Sequence, residues 1–304
     1  MKTAARSLCL PLSLIVFCLC SVAVALTQET GITYHWPIHY HRPFGKTFAP
    51  AQSAAGAKDP LPKFHLTFHG GPVQTHTTSY AIYWKPKGSY MNKSYQKIVN
   101  QFLKDVGGSP IYGYATEYTG SNGRVENVSN FAGYWVDTTP FPSGGLTDKA
   151  IVETVERAIL VNGWTTGINS SFFVMLGHGP NTDGFCAYHS AAQLNGDPVI
   201  YGVMPYFTIK DAGGCGTPFG ISPNNNFDAD STIGNLTHEQ MEMVTDPLLD
   251  AWYDNKYGVE VGDVCIYSYG VPFGNLGGNL IANGHQYIVQ EEWSEKYHAC
   301  QPNL

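Results

Sequence analysis

The period of the apolar positions changes several times along the chain, and each change marks an element. Ser79-Tyr-Ala-Ile-Tyr-Trp84 is rich in aromatic residues and runs into Lys-Pro-Lys-Gly, which predicts a strand and a turn. Tyr95, Ile98, Val99, Phe102, Leu103 and Val106 then recur at spacings of three and four, the pattern of an amphipathic helix, and Gly107-Gly108 stops it. A second helix is expected from an N-cap at Thr147, with Ile151, Val155, Ala158 and Ile159 on one face and Asn162-Gly163 at its end. Between the two helices, residues 112–118 and 131–136 read as short strands. Residues 171–176, Ser-Phe-Phe-Val-Met-Leu, are almost continuously apolar and lead into Gly177-His178-Gly179, so they predict a central strand buried on both faces.

Further on, the pattern predicts a strand over 199–207, a Gly-rich turn around 213–215, and a polar loop, 223–230, that delivers another helix. The C-terminal part reads as β over 262–267, 279–282 and 285–293, with Asn283-Gly284 as a hairpin turn. Strand, helix, helix, strand is the order of a mixed α/β fold: a central sheet with packed helices and a C-terminal β-hairpin region. Residues 63–304 are expected to form a single α/β domain. Residues 26–62 mix Pro, Ala, Gly and His without a helical or strand period and read as an extended arm or pro-segment. Its His35, His39 and His41 are either incidental surface histidines or a local metal-binding or inhibitory group.

Residues 1–25 carry Lys2 and Arg6, then an apolar run, then Ala23-Val24-Ala25, the three parts of a secretory signal peptide. The apolar run is short for a membrane span and contains Pro11, so no membrane association is expected after cleavage. Cleavage takes two of the 17 basic residues and none of the 24 acidic ones, moving the net charge from −7 to −9. A chain that acidic is not expected to bind nucleic acid. Three of the seven cysteines leave with the signal. Cys186, Cys215, Cys265 and Cys300 remain, an even number in an oxidising compartment, and two disulfides are expected. Three connectivities are open; Cys186 with Cys215 and Cys265 with Cys300 closes the shorter loops, and a four-cysteine zinc site is disfavoured by the lack of a close Cys-x-x-Cys pair.

The densest chemistry lies in Thr237-His-Glu-Gln-Met-Glu-Met-Val-Thr-Asp-Pro247. On a helix, His238 and Glu242 stand one turn apart on one face, where both can hold one cation. Glu239 projects about 100° further round the axis, where zinc peptidases of the His-Glu-x-x-His kind place the general base beside the metal-bound water. Glu242 stands in place of the second histidine of that motif, a legitimate zinc ligand that weakens the acidification of bound water. Asp246, a turn further and just before Pro247, is the candidate third ligand. His189, His178, Glu260 and Asp263 are secondary candidates for completing the metal shell. Alternatively, His238, Glu239, Glu242 and Asp246 are the wet face of an amphipathic helix whose Leu236, Met243 and Val244 face the core. Calcium is a further possibility, given Asp228, Asp230, Asp250, Asp254, Glu260 and Asp263. Trp252 and Tyr253 are candidates either for lining a substrate groove or for packing.

Gly184-Phe-Cys-Ala-Tyr-His189, following the strand and helix order above, resembles the plant EXORDIUM or phosphate-induced protein family of secreted, cell-wall-associated proteins. The run His238 to Pro247, with Trp252-Tyr253, Glu260-Val-Gly-Asp-Val-Cys265 and Tyr287-Ile-Val-Gln-Glu-Glu-Trp293, looks like microbial secreted homologues of that family with a zincin-like helix. The resemblance implies an extracellular protein with an ancestral catalytic site.

Two functions follow as expectations. One is a secreted metal-dependent hydrolase, a zinc endopeptidase acting on a peptide or cell-wall substrate with Glu239 as base. The other is a non-enzymatic extracellular protein that acts at a cell wall or surface through an aromatic-lined face. A serine hydrolase is disfavoured because no Gly-x-Ser-x-Gly elbow is present. Asn92, Asn127, Asn169 and Asn235 begin glycosylation sequons, and a glycan on Asn235 would crowd His238.

Overall fold

The computed structural model describes residues 32–34, 39–41, 64–180, 182, 185–273 and 277–301. The proposed signal segment and most of the 26–62 stretch lie outside them. In chain order come the short strands β1 (Ile32–Tyr34), β2 (His39–His41) and β3 (Leu66–Phe68), and the long strand β4 (Thr77–Trp84). Helices α1 (Tyr95–Asp105) and α2 (Pro110–Tyr114) follow, then the two-residue strands β5 (Thr119–Gly120) and β6 (Gly123–Arg124) and the strand β7 (Ser129–Asp137). Next are α3 (Asp148–Asn162), β8 (Ser170–Leu176), β9 (Ala187–Leu194) and β10 (Asp197–Met204). The rest comprises α4 (Phe227–Thr245), β11 (Trp252–Asp254), α5 (Val261–Val264), and the hairpins β12 (Leu280–Ala282) with β13 (His285–Tyr287) and β14 (Glu292–Ser294) with β15 (Ala299–Gln301).

Seven strands make the central sheet, ordered β1-β9-β10-β8-β4-β7 with β2 also on β9. β7, β4, β8 and β10 run parallel; β9 and its two short neighbours are antiparallel to the strands they pair with. The mixed α/β class and the C-terminal hairpins agree with the apolar pattern. β8, every residue of it buried, lies at the centre of the parallel part. Its side chains alternate between two cores: Phe172, Val174 and Leu176 meet Ile151, Val155 and Ala158 of α3, while Phe173 and Met175 meet Val99, Phe102 and Leu103 of α1 and Leu236 and Met243 of α4. Gly202 on β10 lets α4 approach, because a Cβ there would stand 3.2 Å from Met243 Sδ.

Local signals explain most boundaries. The Thr147 side chain accepts from Ala150 N at the start of α3, and Gly163, at φ 64, ends it in the left-handed conformation. Asn226 caps α4 in the same way through Ala229 N, and Pro247 follows its last turn. Asn283 and Gly284 both have positive φ, as a two-residue hairpin turn of the expected kind requires.

Three expectations are corrected. Residues 112–117 are helical, α2 running into a 3-10 turn (Ala115–Glu117), because Ser109 accepts from Tyr112 N and Pro110 occupies the first helical position. Within 262–267 the chain makes the helix α5 rather than a strand. The strand expected over 285–293 is split, since Asn279 takes over the pairing at Val289 through Oδ1 to its N–H at 2.8 Å and Nδ2 to its carbonyl. Within the 26–62 stretch, the described residues form β1 and β2, which pair with the outer edge of β9.

Candidate metal centre

α4 is buried on every side: each residue from Asp228 to Thr245 is shielded from solvent. The wet-face reading of His238, Glu239, Glu242 and Asp246 is therefore corrected. α4 packs on the sheet and α1, and its charged residues lie between β9 of that sheet, α5 and the segment around Gln290. Buried charge is costly unless paired, and the pairing is dense.

Two groups form around Glu242, whose two carboxylate oxygens point different ways. Glu242 Oε1 lies 3.1 Å from His238 Nε2, one turn back on the same helix. Asp263 of α5 joins them, its Oδ1 3.7 Å from His238 Nε2 and its backbone N–H donating to Glu242 Oε1 at 3.1 Å. Glu242 Oε2 faces the sheet instead, 3.4 Å from His189 Nδ1. The same nitrogen is 3.0 Å from Glu239 Oε2, and His189 Nε2 is 3.6 Å from Glu260 Oε2. Within each trio, His189, Glu239 and Glu242 or His238, Glu242 and Asp263, one ligand atom per residue falls within 4.8 Å of the others.

Local folding sets each side chain. His189 lies on β9 between Ala187 and Ala191, the three alternate positions that face α4, and the two alanines leave room for a full imidazole. Gly262 allows α5 to lie on His238, since a Cβ there would stand 2.9 Å from its Cγ and Nδ1 and 3.0 Å from Glu242 Oε1. Gln290 orients the ring: its Nε2 donates to Gly262 O at 2.7 Å and its Oε1 accepts from Tyr267 N at 3.3 Å. Oε1 therefore faces His238 Nδ1, 3.4 Å away. With Nδ1 turned to that oxygen, Nε2 is the ring nitrogen that faces Glu242 and Asp263.

Burial lowers the basicity of both imidazoles, but the carboxylates outweigh it. Glu260, Glu239 and Glu242 together raise His189 to about 10, and Glu242, Glu239 and Asp263 do the same for His238. Burial raises Glu239 as well, against the hydrogen bond from His189. Glu292, fully buried, is pushed well above the usual carboxylate range by desolvation, and neither of its oxygens has a hydrogen-bond partner. Glu239 Oε1 is likewise buried without one.

Of the candidates named from sequence, His238, Glu239, Glu242, His189, Glu260 and Asp263 converge. Asp246 stands elsewhere: its Oδ1 accepts from the N–H groups of Asp250 at 2.7 Å and Ala251 at 2.6 Å, closing the turn after α4. His178 lies at the surface, its Nε2 2.6 Å from Asp211 Oδ2. The other acids considered for calcium are taken up singly, Asp230 by Ser222 and Asn224, Asp254 by the N–H groups of His65, Lys256 and Tyr257. Gln290 and Glu292 carry no site role from the sequence beyond lying in the 287–293 run; their local signal is the polar triplet Gln290-Glu291-Glu292 after Tyr287-Ile-Val. Trp252 packs on Phe68 and Tyr118, and Tyr253 stacks on His69 at 3.5 Å, so both serve packing. Asn235 is buried and its Nδ2 donates to Cys215 O at 3.1 Å, which leaves no room for a glycan on the folded chain.

Both disulfides form as the shorter loops suggest, Cys186–Cys215 and Cys265–Cys300. Each sits beside a carrier of the cluster, Cys186 before β9 and Cys265 after α5. A groove lined by Phe64, Phe219, Tyr267, Tyr269 and Trp293 runs past the outer end of α5.

No protein-family profile matches the chain, and no solved structure matches it. Two curated proteins of Arabidopsis thaliana do. The EXORDIUM-like 5 protein is 25% identical over 287 residues, which covers 78% of this chain and 77% of that one. The EXORDIUM-like 3 protein is 24% identical over 281 residues, 77% of this chain and 82% of that one. The chain is thus similar to EXORDIUM-like proteins over more than three quarters of its length, and nothing in these likenesses supports the zincin-like part of the resemblance.

Proposed function

We propose that the chain is a secreted EXORDIUM-like protein that acts without catalysis at a cell wall or other extracellular surface, through its aromatic groove. The observation that carries this reading is the complete burial of His189, His238, Glu239 and Glu242, each 0% exposed. A catalytic metal keeps one position open to water and substrate, whereas ligands sealed in this way suit an ion that holds the fold. In this reading a divalent cation such as zinc ties α4 to its surroundings. Support for the location comes from the likeness to EXORDIUM-like proteins, the signal-like residues 1–25, and two disulfides of the kind found in oxidising compartments. Phe219, Tyr269 and Trp293 offer flat rings of the sort that mixed polar and apolar ligands rest on.

The test is retention on insoluble cell-wall material alongside turnover of casein and of wall polysaccharide. Wall retention that Phe219→Ala with Trp293→Ala lowers about tenfold, together with no turnover, is expected. Turnover that disappears in Glu239→Gln while the metal stays bound overturns it. That result is what the second reading requires, a zinc hydrolase with Glu239 as base, and the observation favouring it is the partnerless Glu239 Oε1 within the cluster.

A further inference from the structure

We infer that the cluster is a two-cation centre bridged by Glu242, with one ion held by His189, Glu239 and Glu242 Oε2 and the other by His238, Asp263 and Glu242 Oε1. This rests on the reading of the cluster as cation-binding and extends it from one ion to two.

Three observations carry it. First, the two oxygens of one buried carboxylate serve different histidines, Oε1 at 3.1 Å from His238 Nε2 and Oε2 at 3.4 Å from His189 Nδ1. A single ion held in the bite of Glu242 would draw both imidazoles to one point, yet they approach from opposite partners, one on the sheet and one on the same helix. Carboxylates that present one oxygen to each of two ions hold them about 3.5–4 Å apart. Secondly, His238 has a hydrogen-bond partner on its other nitrogen, Gln290 Oε1 at 3.4 Å from Nδ1, while Glu260 Oε2 stands 3.6 Å from His189 Nε2, longer than a hydrogen bond. The Gln290 contact is the usual support of a metal-bound histidine and leaves His238 Nε2 as the ligating atom; His189 presents Nδ1 because that nitrogen is the one beside Glu239 and Glu242. Thirdly, the charge balances. Glu239, Glu242, Glu260 and Asp263 lie around the two rings, three of them buried and Asp263 13% exposed. Two divalent cations with neutral imidazoles match those four carboxylates, with the neighbouring Glu292 pushed toward its neutral form by burial; without ions, two protonated imidazoles compensate only two of the four, and unpaired buried charge is costly. The buried Glu239 Oε1, with no hydrogen-bond partner, supplies a further donor atom for the first ion. Mixed imidazole and carboxylate donors suit Zn(II), Mn(II) or Fe(II) better than calcium, which takes oxygen ligands.

The experiment uses the full secreted chain, stripped of metal and titrated separately with Zn(II) and Mn(II). Two equivalents bound per chain are expected. In the manganese form, an electron paramagnetic resonance spectrum of an exchange-coupled pair is expected. One equivalent overturns the pair but leaves the single-cation reading standing, and none overturns both. Two equivalents with the six-line spectrum of isolated Mn(II) overturn the Glu242 bridge. His189→Ala and His238→Ala are each expected to keep one equivalent, read together with circular dichroism to confirm folding; two equivalents in either variant also overturn the assignment. The wild-type spectrum decides the matter even where a variant fails to fold.

Discussion

α3 and α4 close opposite faces of the same sheet by different means. α3 lays Ile151, Val155 and Ala158 on Phe172, Val174 and Leu176, and keeps Leu160 and Val161 in solvent at 64% and 67% exposure, as a surface helix does. α4 has no solvent face, and its charged side is held by His189, Asp263, Glu260 and Gln290 from three other parts of the chain. The α3 face depends on apolar area and shape, which single substitutions erode by degrees. The α4 face depends on charge compensation, which fails as a unit when one partner goes. A perturbation that distinguishes area from charge should therefore separate the two faces.

The largest effect is expected at Phe172→Ala, which opens a cavity under α3 and costs about 3–5 kcal/mol in urea unfolding. The loss should be the same with and without chelator, since the site belongs to the other face. Chelation of the wild-type chain comes next. Removing an ion present at about 100–1,000 times its dissociation constant costs about 3–4 kcal/mol, and the two losses should add within about 0.5 kcal/mol, as for independent sites. Strong non-additivity would show that the sheet transmits changes between its faces. The smallest effect is a slope. Burial raises the Asp246 carboxyl to about 6, against the lowering by the Ala251 and Asp250 N–H groups. The folded chain holds this proton more tightly than the unfolded chain, whose carboxyl sits at about 3.9, so the stabilisation is present below about pH 4 and is lost as pH rises through 6. Asp246→Asn should flatten the urea midpoint against pH between 4 and 6, while Phe172→Ala keeps the wild-type slope.

The apolar face is the one the sequence discloses best. Thr147, the three-and-four spacing after it and Asn162-Gly163 bound α3 almost to the residue, because a surface helix writes its burial into its own period. The helix of His238 and Glu242 is equally plain, but its burial is not: the polar side is covered by β9, which precedes it in the chain, and by α5 and the Gln290 segment, which follow it, and no local pattern announces a cover. His189 could be suspected but not placed, since its pairing with Glu239 spans 50 residues and depends on β9 lying beside β10. α2 shows a different failure. The aromatic residues Tyr112, Tyr114 and Tyr118 favour a strand by propensity, whereas the Ser109 cap and Pro110 at the first helical position set a helix.

The two cross-links reach β9 and α5, which bring His189 and Asp263, and leave α4 itself untied. Closing loops with sequence separations of 29 and 35 residues removes about 3–4 kcal/mol of unfolded-chain freedom each. On the proposal of a cation centre, thiol oxidation would precede ion loading, and a chain retained in a reducing compartment would present its histidines to metal without the frame that fixes their spacing.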